Sequence, residues 1–185
     1  MGKDAQAQAA AVDHSPPPEF DELTGLRTRR AFFALAEPAF DAAAKRKSEC
    51  TAVIVDLDRL ALVNRKHGYE AGNELIHEAA AAMSAIASEG DILGRLGGDE
   101  FVFLRPAGVD SPDELRAEIG DAIAEASRSD RPYGLAVSVG IVSMRASEVD
   151  SLDAFLSRAD AAMYLHKVAG GGEEGRPHVR LNRRD

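Results

Sequence analysis

Between residues 28 and 168 the apolar positions change period several times. Phe32, Leu35, Ala39 and Phe40 recur at helical spacing, which predicts a helix over about Thr28 to Lys47. Pro38 falls inside it and removes a backbone donor, so a kink or a split into two helices is expected there. TAVIVDL, residues 51–57, is an apolar run closed by an acidic stretch and reads as a buried central strand. A short helix is expected near Leu60 to Arg65, after which Gly68 and Gly72 punctuate the chain. Leu75, Ile76, Ala79, Ala80, Met83 and Ile86 mark one face of a longer helix. Residues 91–104, DILGRLGGDEFVFL, hold two short apolar runs around Gly97-Gly98, a pair suited to a tight hairpin with φ above zero. Leu115, Ile119, Ala122, Ile123 and Ala126 mark the next helix, with Ser111 as its cap, Pro112 at its first position and Glu114 three past the cap. LAVSVGIVSM, residues 135–144, is strand-like. Leu152, Phe155, Leu156, Ala159, Met163 and Val168 mark a last helix, stopped by Gly170-Gly171-Gly172.

Without its first and last helices this order is βαββαβ. That is the ferredoxin-like pattern of an α+β protein: an antiparallel central sheet with its crossover helices on one face, here with N- and C-terminal helices added. The topology sets the hairpin's second strand beside the first strand and antiparallel to it. Residues 23–172 form the expected domain. Residues 1–22 are Ala/Gln-rich and then read HSPPPEFDE; consecutive prolines favour an extended path, so a disordered tail is expected. Residues 173–185 are poor in core residues and read as a solvated C-terminal tail.

The chain has 185 residues and 19.7 kDa, which suits one domain. Its 22 Lys+Arg against 31 Asp+Glu leave a formal charge of -9. That argues against a nonspecific grip on a nucleic-acid polymer or an anionic membrane, yet a local cation can still hold a phosphorylated small molecule. A single cysteine, Cys50, excludes an intramolecular disulfide framework and a cysteine-rich metal site. No apolar run approaches the roughly 20 residues of a membrane span, and no secretory pattern opens the chain. The expectation is a cytoplasmic protein without membrane insertion.

Chemistry concentrates in the acids. Asp56 and Asp58 close the first strand, and Asp99 and Glu100 leave the hairpin beside it. Alternation lets either Asp56 or Asp58 share a face with Asp99, with Glu100 on the other side or at the rim. Carboxylates gathered this way repel one another unless a cation joins them. Hard oxygen ligands select Mg²⁺ or Mn²⁺ over zinc. Surface acids flanking a tight turn give the same spacing, so spacing alone leaves both readings open. His67 and His77 share no ligand spacing with each other or with Cys50.

At this point the chain resembles a known family. Gly97-Gly98-Asp99-Glu100-Phe101 is the signature of the GGDEF domain, the diguanylate cyclase family. DELTGLRTRR (21–30) resembles the family's opening D-x-L-T-G-L-x-N-R-R. Asp56-Leu57-Asp58 with Asn64, Gly68 and Gly72 resembles D-x-D-x-F-K-x-x-N-D-x-x-G-H-x-x-G-D. SVGI (138–141) and ADAAMYLHK (159–167) resemble the family's S-I-G strand and A-D-x-A-L-Y-x-A-K helix. The resemblance implies a nucleotidyl-cyclase-like palm that condenses two GTP into cyclic di-GMP and two pyrophosphates, one GTP per protomer of a homodimer. Carried over by position, Asp56 and Asp99 would ligate Mg²⁺ with help from the Leu57 carbonyl. Glu100 would assist deprotonation of the 3′-hydroxyl or bind a second metal. Asn64 would bond the guanine edge and Lys167 the β/γ-phosphates. Leu60 and Asn73 complete the substrate-binding candidates.

Departures from the family pattern bear on activity. Leu60-Ala61 stands where the family has F-K, so a phosphate-contacting lysine is missing, and Gly171 stands where a second cation is expected. Asn73 replaces an aspartate that accepts two guanine donors; an amide offers one acceptor oxygen, a loss of about 1–3 kcal/mol of guanine preference. Thr28 replaces the opening motif's asparagine and bears on a local cap. Tyr69 replaces a histidine and packs either on the nucleotide or on the core edge. The Thr24-Gly25 segment either lends N–H groups to phosphate as a helix start or forms a packed turn. The family's product-inhibition motif R-x-x-D falls on Ser88-Glu89-Gly90-Asp91 and lacks its arginine, so feedback through that site is not expected, and Asp91 reads as a strand-start residue. The expected function is a weak diguanylate cyclase, with a separate regulatory protein. The alternatives are an inactive module that binds GTP or a protein partner, and a cyclase with altered base preference.

Overall fold

A computed structural model describes residues 18–127 and 130–169. Of the tail expected over 1–22, residues 1–17 lie outside the described residues, as do the tail at 173–185, the glycine stop at 170–172 with Gly171, and the side chain of Val168; residues 18–22 are described and join the fold, with Phe20 bridged to Arg27 and Thr28 N–H donating to the Glu19 carbonyl at 2.9 Å. The elements are β1 (Arg27–Thr28), α1 (Arg29–Arg46), β2 (Glu49–Leu57), α2 (Leu60–His67), α3 (Tyr69–Ile86), β3 (Ile92–Arg95), β4 (Glu100–Arg105), α4 (Pro112–Ala126), β5 (Val137–Arg145), a 3₁₀ turn (Ala146–Glu148) and α5 (Leu152–Ala169). One five-stranded sheet runs in the order β1-β3-β4-β2-β5. β2 pairs antiparallel with both β4 and β5, as does β3 with β4. Only β1 is parallel to its neighbour, β3, which makes the sheet mixed.

β2 is central because it is apolar on both faces. Val53, Val55 and Leu57 join the core formed with Leu75 and Met83 of α3 and Ile119 of α4. Ala52 and Ile54 join the opposite core, formed with Phe32 and Phe40 of α1 and Phe155 and Leu156 of α5. A strand covered on both faces loses its alternation and reads as one apolar run. The two crossover helices share one face as expected, and the added terminal helices cover the other.

Several local expectations are corrected. α1 is one unbroken helix of 18 residues with Pro38 inside it, which removes the split into two helices from the two expected outcomes. Both Pro38 and Ala34, whose carbonyl the proline leaves unpartnered, lie on the exposed side, where water can replace the missing bond. Leu35 is exposed; the buried face is Ala31, Phe32, Ala36, Phe40 and Ala43. α3 begins at Tyr69 and includes Gly72, which therefore does not interrupt it. A Cβ on Gly72 would fall 1.9 Å from Asn64 Oδ1, so this glycine lets α2 and α3 approach closely. The hairpin uses the stretch Leu96–Asp99, closed by Leu96 N–H donating to the Glu100 carbonyl at 2.8 Å. Neither Gly97 nor Gly98 has positive φ. A loop of this length does not need the left-handed turn that a two-residue hairpin demands. At α4 the cap is as expected: Ser111 Oγ accepts from Glu114 N–H at 3.2 Å.

Candidate active site

The site is built on the C-terminal end of β2. Asp56 stands directly opposite Glu100 of β4 and Ser138 of β5. Directly opposed residues of antiparallel strands project to the same face. Glu100 therefore shares the face of Asp56, which excludes the other side and leaves the rim of its two expected places: β4 begins at Glu100, while Asp99 belongs to the turn. The Asp99 carbonyl accepts from Leu57 N–H at 3.0 Å, which extends the pairing by one residue and pins the turn to β2. Asp58 follows, its N–H donating to the Ala136 carbonyl at 2.9 Å and its Oδ1 accepting from Ser138 Oγ at 2.8 Å.

α5 supplies the cation. A Cβ on Gly140 of β5 would lie 1.9 Å from the Ala159 carbonyl oxygen and 2.6 Å from Met163 N. Only a residue without a side chain lets α5 press this closely onto the sheet. Ala159, Met163 and Lys167 recur every four residues and so lie along one side of the helix. From that side Lys167 Nζ reaches Asp56 Oδ1 at 2.6 Å and Asp58 Oδ1 at 3.8 Å.

The local field is strongly negative. Burial pushes the Asp56 carboxyl up, Lys167 pulls it back, Asp99 and Asp58 push it up again, and the balance is a raised pKa. Glu100 is pushed up to about 6, first by burial and then by the charges of Asp56, Asp99 and Asp160, with Arg29 opposing. Asp160 is buried on α5. Such a cluster is stabilised by a proton or a cation.

Among the described residues no three His, Cys, Asp or Glu side chains stand close enough to enclose a metal. Mg²⁺ asks for less: it is usually bound through one or two carboxylates, with waters and substrate phosphates completing its shell. The oxygen-only set of Asp56, Asp99, Glu100 and the Leu57 carbonyl fits that chemistry and not that of a softer metal.

A second group gathers where α2 meets α3. Leu60 is buried and Asn64, one turn later, is half-buried with its Oδ1 enclosed beside Gly72 and without a hydrogen-bond partner. Asn73 and Ala61 are exposed. Tyr69 is 80% exposed, so it does not cap the core edge. The structure thus brings Asp56, Leu57, Asp99, Glu100 and Lys167 to one sheet end, and places Leu60, Asn64 and Asn73 on the two helices that follow β2.

Sequence reasoning missed the support beneath the hairpin. Arg95 donates from Nε to the Gly97 carbonyl at 3.2 Å and from Nη2 to the Gly98 carbonyl at 2.7 Å. Its Nη1 pairs with Asp21 Oδ1 at 3.0 Å. Asp21 also accepts from Thr24 N–H at 3.0 Å and Thr24 Oγ1 at 2.7 Å. Burial pushes the Asp21 carboxyl up, but Thr24 and Arg95 outweigh it and hold it below its ordinary value. Thr24-Gly25 is therefore a packed turn, with Gly25 at φ 69, and not a helix start. The helix begins at Arg29, where Thr28 Oγ1 caps Ala31 N–H at 3.4 Å. The aspartate of the opening motif was a usable signal; a lone arginine ending a strand was not. Elsewhere, Asp91 directly precedes β3, accepts from Ser88 N–H at 2.7 Å and pairs with Arg105 at 2.9 Å. His67 and His77 are exposed, His67 with its ring 4.8 Å from that of Tyr133.

Comparison with known proteins agrees with this fold. A family profile described as "Diguanylate cyclase, GGDEF domain" matches residues 19–173. The chain is 31% identical over 151 residues to diguanylate cyclase DgcM of Escherichia coli K12, covering 81% of this chain but 36% of that protein. It is 34% identical over 152 residues to a 19.3 kDa protein of Streptomyces ambofaciens, covering 80% of this chain and 77% of the other. Among solved structures, diguanylate cyclase SiaD of Pseudomonas aeruginosa, in complex with its activator SiaC, superposes with a TM-score of 0.71 at 26% identity, over 82% of this chain and 58% of that one. No helix among the described residues is long and apolar enough to cross a membrane.

Proposed function

The chain belongs to the diguanylate cyclase, GGDEF-domain family, and from that premise we propose that it condenses two GTP into cyclic di-GMP with release of two pyrophosphates, slowly and as a homodimer. The observation that carries this reading is the direct pairing of Asp56 with Glu100, with the Lys167 ammonium 2.6 Å from Asp56. It is an acid cluster beside a lysine cation at a sheet end, the arrangement that phosphoryl transfer asks for.

Asp56, the Leu57 carbonyl, Asp99 and Glu100 are the groups that would hold Mg²⁺ or Mn²⁺. Such a metal neutralises charge on the triphosphate and on the leaving pyrophosphate. Glu100, pushed up to about 6 in the metal-free site, would either take the proton of the 3′-hydroxyl as a base matched to near-neutral pH or bind a second metal. Lys167 would balance phosphate charge. Asn64, half-buried where α2 meets α3, would bond the guanine edge through its side-chain amide, with Asn73 and Leu60 beside it. Each site holds one nucleophile and one electrophile, so closing the ring needs a second copy of the chain.

The missing cation at Ala61 and the single acceptor of Asn73 make the enzyme slow, and they support the second reading of a module that binds GTP without turnover. The SiaD complex supports control by a separate regulatory protein, and the charge and hydropathy pattern supports a cytoplasmic domain over 23–172. Incubation of the full chain at high concentration with GTP and Mg²⁺, followed by mass spectrometry, tests the proposal against Glu100→Gln. Cyclic di-GMP from the parent chain alone supports a cyclase. GTP binding without product supports the second reading, and no binding defeats both.

A further inference from the structure

Lys167 faces two competing demands. Its ammonium lies 2.6 Å from Asp56 Oδ1 and 3.8 Å from Asp58 Oδ1, so it already supplies the positive charge of the acid cluster. A divalent metal on Asp56 would place a second cation against the same carboxylate, and two cations that close repel strongly in a half-buried site. The two would compete for the carboxylate. We propose that Lys167 is a placeholder cation: it keeps bare divalent metal off Asp56 and releases the carboxylate only when a triphosphate offers the ammonium another anion, so that metal and nucleotide enter together. This rests on the reading of the site as a metal–triphosphate site.

The surroundings suit the role. Ser138 orients Asp58 through a 2.8 Å bond, which keeps a second carboxylate 3.8 Å from the ammonium. The close packing of α5 on Gly140 fixes the helix, so movement is left to the lysine side chain itself. That side chain is 22% exposed and carries a compact charge on a flexible four-carbon stem, able to swing where a rigid guanidinium would not. Without a cation, the cluster would leave Asp56 half-buried beside Glu100 and Asp99, whose charges already disfavour one another.

The test is Mn²⁺ titration of the nucleotide-free full chain, followed by electron paramagnetic resonance, in the parent, Lys167→Met and Lys167→Arg. Melting curves by circular dichroism confirm folding, with Lys167→Gln replacing the methionine variant if that one is unstable. Lys167→Met is expected to bind bare Mn²⁺ about tenfold or more tightly than the parent, because a like charge is removed from contact with the site. Lys167→Arg, which keeps the charge, is expected to stay as weak as the parent. Added GTP is expected to strengthen Mn²⁺ binding much more in the parent than in Lys167→Met. Equal bare-Mn²⁺ affinity in parent and Lys167→Met, with GTP still strengthening binding in the parent, overturns the placeholder and leaves the site reading standing. Absence of Mn²⁺ binding by every protein, with and without GTP, removes the site reading and the placeholder with it.

Discussion

Glu100→Gln should make the protein more stable at neutral pH while removing its activity. The Glu100 carboxyl is pushed from an ordinary 4.5 up to about 6, by burial first and then by Asp56, Asp99 and Asp160. The folded protein therefore holds this proton more tightly than the unfolded chain does. That favourable contribution is complete below pH 4.5 and is lost as pH rises through about 6. The difference corresponds to about 2 kcal/mol at pH 7, an upper figure for a half-buried group. Glutamine keeps the shape and never acquires the charge. For a chain of this length about 1 kcal/mol moves the melting midpoint by about 2–4 °C, so the variant should melt about 2–8 °C above the parent at pH 7.5 in chelator. At pH 4 the two midpoints should coincide. Over the same substitution the rate of product formation should fall about 10²–10⁴-fold, the usual contribution of a general base. Calorimetry at several pH values, beside a product assay, reads both effects. A variant that is no more stable at pH 7.5, or whose gain is the same at pH 4, would refute the claim that charge repulsion at Glu100 opposes folding.

Three further outcomes follow from the packing around the site. Gly140→Ala would set a methyl 1.9 Å from the Ala159 carbonyl oxygen; urea denaturation should show a loss of about 1–3 kcal/mol from overpacking. Arg95→Ala removes the contacts to the Gly97 and Gly98 carbonyls and to Asp21. It should cost about 1–2 kcal/mol, and amide hydrogen exchange should quicken in Leu96–Asp99. Asn73→Asp restores a second acceptor, and competition of GTP against ATP should show guanine preference rising about tenfold, whereas an unchanged ratio would separate Asn73 from the base.

Much of the architecture was legible because it depends on local pattern. The unbroken apolar run of β2, the helical periods of α3, α4 and α5, and the Ser111-Pro112 start each name an element by side-chain spacing alone. Once βαββαβ is read, connectivity puts the end of β2 beside the start of β4, and Asp56 does pair with Glu100. The two-residue β1 has no pattern to read; it exists only because β3 offers it a partner. Pro38 signals a kink or a split through its missing donor; that α1 continues past it, with Ala34 and Pro38 facing water, is decided by packing.

The amino-acid sequence by itself determined the order of elements, the family and the acids available for chemistry. The fold alone decided which way those acids point and what meets them. Register put Glu100 on the face of Asp56, a glycine without room for a methyl brought α5 down on β5, and that approach delivered Lys167 to a carboxylate 111 residues away in the chain. Orientation and charge pairing across such separations are set by packing, which spacing along the chain does not encode.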